Sequence, residues 1–179
     1  MTTASLAGAA EGSVRTLRSF TAELVVGAGL VLVPFFCGIG LGLILEPVTV
    51  STPGQATVGN VFSHNLGIVA PLLIGCLVLG VMAVMQIPSW FAIGLTVGAA
   101  GASGRWEDVV KHVLPHAVPE LAAACLASAV SVALVRPAIR WLRGSASHLA
   151  QSVRFMTLST LASVALLLVA AVVEGTISK

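Results

Sequence analysis

The sequence predicts an all-α fold: a polytopic transmembrane helical bundle of about five spans, with its N-terminus inside and its C-terminus outside. Three observations lead there. Charged residues make up only 9% of the chain and hydrophobic residues 57%, whereas a soluble domain carries about 25% charge. Several apolar runs exceed the ~18 residues needed to cross a ~30 Å hydrocarbon layer. The Lys and Arg residues also gather in segments that alternate along the chain, as they do when one side of a membrane is favoured.

The same composition excludes other classes. The basic residues form no array interleaved with aromatics, so no nucleic acid partner is expected. There is no Walker motif, GxGxxG, nucleophile elbow or HExxH to carry soluble ATPase, dehydrogenase or protease chemistry. Cys37, Cys76 and Cys125 each lie inside an apolar run with no CxxC pair, and read as packing residues.

Residues 1–18 read as an N-terminal cytoplasmic tail of small and polar residues, and 19–179 as one transmembrane domain. Arg15 and Arg18 precede a run too long for a cleaved signal. Span one runs from about Ser19 to Leu45. Pro34 should kink it, because the ring removes a backbone hydrogen bond. Gly38 and Gly42 form a GxxxG that permits close helix approach. Glu23, near the inner end, is placed to snorkel or to pair with Arg18.

A polar loop, Glu46 to Asn60, leads to span two, about Val61 to Gln86. Gln86 to Pro88 reads as a tight turn, and span three as the short stretch from Trp90 to about Gly101. Ala102 to His112 reads as a short charged loop. Span four starts at Leu114-Pro115-His116-Ala117-Val118-Pro119-Glu120, with the prolines in the first helical turn, and ends near Val135. The basic segment Arg136 to Arg154 follows, with Trp141 as an interface anchor and His148 without an assigned role. Span five runs from Phe155 to about Ile177.

With the N-terminus inside, the inner side receives Arg15, Arg18, Arg136, Arg140, Arg143 and Arg154. The outer side receives only Arg105, Lys111 and Lys179. Spans two and four then both begin at the outer face. Glu46, His64, Asn65, His112, His116 and Glu120 are expected near that boundary, where two helix N-termini meet with unpaired N–H groups. His116 and Glu120 are spaced i, i+4, so they share one helix face.

His64, Asn65, His116 and Glu120 thus form a candidate polar intramembrane site. It admits three readings. One is structural, with His64 and Asn65 clamping span two onto Glu120, because lipid offers no hydrogen bonds. One is a metal site, with His64, His116 and Glu120 as ligands suited to zinc. One is a polar site for a peptide, an ion or a proton.

Phe62-Ser63-His64-Asn65 and Leu114-Pro115-His116-Ala117-Val118-Pro119-Glu120-Leu121 together resemble two motifs of the stage II sporulation protein M family of bacterial membrane proteins. Those motifs are an F-x-x-N patch opening one span and an L-P-H-G-x-x-E motif opening a later one. The resemblance covers roughly residues 19–177. Ala117 stands where the family usually has Gly, and His64 where a second Asn is common.

The resemblance implies a multi-pass protein of the bacterial cell membrane. It would anchor a complex that remodels the envelope, or accompany ATP-binding subunits in maturing and exporting a hydrophobic peptide. The family supplies no settled catalytic residues. Three functional readings therefore stand: a non-enzymatic subunit that scaffolds or gates partners, an intramembrane peptide-processing enzyme using the His/Glu site, and a small transporter component. An odd span count places Lys179 outside. A reporter active only outside the cytoplasm, fused after Lys179, should be active, and an inactive reporter there would contradict five spans with the N-terminus inside.

Overall fold

The computed structural model describes residues 20–45, 58–74, 81–133, 135–142 and 149–177. The N-terminal tail with Arg15 and Arg18, Glu46 and most of its loop, Cys76, Arg143, His148 and Lys179 lie outside the described residues. The described chain is helical: α1 (Thr21–Ile44), α2 (Val58–Ile74), α3 (Val81–Met85), α4 (Ile87–Ala102), α5 (Trp106–Asp108), α6 (Leu114–Ala133), α7 (Val135–Leu142) and α8 (Leu149–Ile177). Among the described residues, four stretches are long and apolar enough to cross a membrane: Thr21–Ile44, Ala83–Ala102, Trp106–Ile139 and Ala150–Thr176. α2 has 17 residues, about 25 Å at 1.5 Å per residue.

These helices alternate in direction. Phe20 clusters with Ala129, Ala133 and Phe155 at one end of the bundle, while Val31 clusters with Ala123, Ala124, Ala127 and Leu167 further along. α1 and α8 therefore run opposite to α6. Asn65 meets Glu120, and Val69 joins the Ala123 cluster, so α2 runs with α6. This is the alternation expected for five spans.

Three expectations need correction. Gln86–Pro88 is not a turn between spans. The chain continues as one apolar helical stretch, Ala83–Ala102, of 20 residues. Pro88 sits at the first turn of α4, where its missing N–H removes no helical bond. The third span is thus of full length.

The charged segment after it is not a loop either. Only Ser103 to Arg105 lie outside helix, turned by Gly104 at φ 75°, a conformation that disfavours a side chain. The helix restarts at Trp106, whose ring lies against Gly101. Lys111 pairs with Glu107 along its surface.

Nor does span four begin at Leu114. A π-helical turn, Val109–Val113, carries the helix into α6, with the Leu114 N–H donating to the Val109 carbonyl. Pro115 and Pro119 are therefore inside a long helix. The wider turn lies just where Pro115 removes the next donor, an irregularity that prolines in membrane helices commonly call for. Pro34 likewise sits within an unbroken α1.

The closest packing joins α1 to α4, which run parallel. A Cβ on Gly38 would overlap the Phe91 carbonyl, and one on Gly42 the Leu95 carbonyl. Reciprocally, a Cβ on Gly94 would overlap the Phe35 carbonyl, and one on Gly98 the Ile39 carbonyl. The Gly38-x-x-x-Gly42 motif is thus matched by Gly94-x-x-x-Gly98, and the two backbones touch along both pairs. Gly40, on the other face of α1, has nothing near its missing Cβ.

α6 and α8 meet through small residues. Ser163 Oγ donates to the Ala123 carbonyl at 3.1 Å, and Ser128, Ser131, Ser152 and Ser159 are buried. The main core draws Val31, Val69, Ala83, Trp90, Ala123 and Leu167 from all five spans.

Gly38→Leu or Gly94→Leu should each destabilise the detergent-solubilised protein by about 1–3 kcal/mol, the usual cost of overpacking. Gly40→Leu should leave stability nearly unchanged. Thermal unfolding of the three variants checks this, and equal effects would contradict the glycine seam.

Candidate functional site

The two motif segments meet. Asn65, buried on α2, donates a hydrogen bond from Nδ2 to Glu120 Oε1 on α6. Each helix presents this residue because the neighbouring turns pack inward. Leu66 and Val69 pack into the core beside Asn65, while Ala123 and Ala124 do so one turn after Glu120. His116 lies one turn before Glu120 on the same face.

These side chains line a cleft of about 280 Å³ together with exposed His64. Apolar walls come from Ile68 and Val69 on α2, Ile93 on α4 and Leu167 on α8. All four residues of the predicted polar site therefore share one cavity. His112 does not take part. It is exposed, with Nδ1 3.3 Å from the carbonyl oxygen of Asp108 on its own helix.

The setting of Glu120 differs from expectation. Because the helix that carries it already starts at Trp106, Glu120 falls inside the 34-residue stretch Trp106–Ile139 and not in a first turn, while Glu174 in the same cleft lies close to the end of α8 at Ile177. Among the described residues, the helices that carry Asn65 and Glu120 start at Val58 and Trp106, about two turns or more before them, and the donor to Glu120 is the Asn65 amide. The cleft also lies between two flanking helices that do not pack along each other: α4 is held on α1, and α2 on α6 and α8.

Sequence reasoning misses two residues of this cleft. Glu174 from α8 lines it, and its signal was available, since the end of a fifth span lies at the face where spans two and four begin. Trp90 also lines it and is only 5% exposed. Placing the span boundary at Pro88 put Trp90 at the inner interface and hid its role.

Two buried nitrogens in this wall, Trp90 Nε1 and His116 Nδ1, have no hydrogen-bond partner among the described residues. Buried polar atoms without partners are uncommon and costly. Glu23 is buried elsewhere, near the opposite end, in a shallow pocket with Val26 and Val132.

As for metal chemistry, one Glu120 oxygen already accepts the Asn65 amide. Among the described residues, no three His, Cys, Asp or Glu side chains group closely enough to hold an ion. What the arrangement offers is donors and acceptors in a largely apolar space: an indole N–H, two imidazoles, an amide and two carboxylates.

Comparison with curated proteins and with solved structures gives no match. A family model described as stage II sporulation protein M matches residues 31–179, a stretch containing both motif segments and every residue of the cleft. The chain is a membrane protein that belongs to the stage II sporulation protein M family.

Proposed function

We propose that this protein is a non-enzymatic subunit of the bacterial cytoplasmic membrane that receives an apolar peptide segment in the cleft between α2 and α4. In that role it scaffolds or gates a partner complex, in envelope remodelling or in the maturation and export of a hydrophobic peptide. The observation that carries this reading is the cleft itself. It sits between two helices that do not pack on each other, its walls are Ile68, Val69, Ile93 and Leu167, and polar groups lie within it. Hydrophobic walls with a few convergent polar groups are the usual make-up of a binding site. Ionisable residues within a membrane helix are costly and mark pathways or contacts more often than decoration.

The enzymatic alternative has its own support, because His64, His116 and Glu120 line one cavity. Acid–base or zinc chemistry on a peptide bond would need these three groups. Metal analysis separates the readings. The subunit reading expects purified protein without stoichiometric zinc, and zinc that is lost in His116→Ala would favour the enzyme.

A photoreactive residue replacing Ile93 should crosslink to a peptide or protein segment in membranes, while one replacing exposed Val33 on α1 should reach lipid alone. Equal crosslinking to lipid from both positions would contradict a docking cleft.

A further inference from the structure

The cleft holds two acids. Glu120 and Glu174 both line it beside the imidazoles of His64 and His116, and among the described residues no Lys or Arg does. Two carboxylates in a low-dielectric cavity repel each other, and each favours a nearby positive group. Acidic residues alone would not define a ligand, but Trp90 adds a second demand. It is 95% buried in the same wall, and its indole nitrogen, a donor only, finds no acceptor among the described residues. An occupant that answers both needs carries a cationic group and, close to it, a carbonyl oxygen. The space is small, at the lower end of ligand pockets, so it suits the end of a chain and not a whole crossing helix.

We propose that the cleft binds the free amino terminus of an apolar peptide. This rests on the reading of the cleft as a peptide-docking site and specifies which part of the peptide enters. The terminal ammonium lies between Glu120 and Glu174. The first peptide carbonyl accepts from the Trp90 indole N–H. The first side chains lie against Val69, Ile93 and Leu167. Asn65, by donating to one Glu120 oxygen, leaves the other oxygen to accept from the ammonium. A lysine side chain offers the ammonium without a carbonyl beside it, and so meets only half of these demands.

The test uses the full chain in nanodiscs and a ten-residue Leu/Ala peptide with a dye at an amidated C-terminus, read by fluorescence anisotropy. The peptide with a free amino terminus should bind about tenfold or more tightly than its N-acetylated twin, as a charge-assisted contact implies. Glu120→Gln and Glu174→Gln, which keep shape and hydrogen-bonding capacity, should each reduce that preference. Trp90→Phe should weaken both peptides alike and leave the preference intact.

Equal binding of the two peptides would overturn the amine assignment while leaving the docking cleft standing. An acetylated peptide with an internal lysine that binds as well as the free-amine peptide would overturn recognition of a terminus. Binding of neither peptide to the wild-type chain would overturn the docking reading, and this inference with it.

Discussion

A carboxyl group set among apolar helices needs a hydrogen-bond donor, and the structural relations around it follow from how it is satisfied. Glu120 is that group. Its hydrogen bond from Asn65 ties α2 to α6 at one register, because an intramembrane acceptor without a donor costs several kcal/mol. With that register set, Val69 falls beside Ala123, and His64 and His116 open onto one cavity. Shifting α2 by one residue would turn the amide away from Glu120 and bring His64 or Leu66 toward it instead.

A second commitment explains why a cavity exists at all. α4 is pulled onto α1 by four glycines whose missing Cβ atoms let two backbones touch. In lipid, such close contact replaces the hydrophobic effect as the force that joins helices. α2 is bound elsewhere, to α6 and α8. Neither flanking helix is free to close on the other, and the space between them remains with Trp90 and Leu167 in its wall. The glycine seam and the Asn65–Glu120 bond thus act together, one drawing α4 to α1 and the other holding α2 to α6.

Much of this was legible in the sequence. Low charge and long apolar runs gave the helical membrane class, and the alternation of basic segments gave the common face of His64 and Glu120. Gly38-x-x-x-Gly42 was visible as a motif, but its partner, Gly94-x-x-x-Gly98, becomes meaningful only when the parallel course of α1 and α4 is known. Most of the differences arise at prolines. Pro88, Pro115 and Pro119 read as boundaries because proline ends helices in water. In this bundle each is absorbed, Pro88 at a first turn and Pro115 behind a π-helical turn. Misplacing those boundaries shortened span three, hid Trp90, and set Glu120 in the first turn of a helix when it lies inside one. Glu174 has no motif or spacing that ties it to the other polar residues, and it is the shared cleft that brings it to them.

The most direct measurement is a double-mutant cycle on the bond that fixes this register. Stability of the wild type, Asn65→Ala, Glu120→Ala and the double variant, measured in the same detergent, isolates their coupling. A coupling energy of about 0.6–1.7 kcal/mol, from the average to the largest value typical of hydrogen bonds between membrane helices, is the result expected here. Fully additive effects of the two substitutions would mean that Asn65 and Glu120 do not meet, and the cleft would lose the contact that sets its geometry.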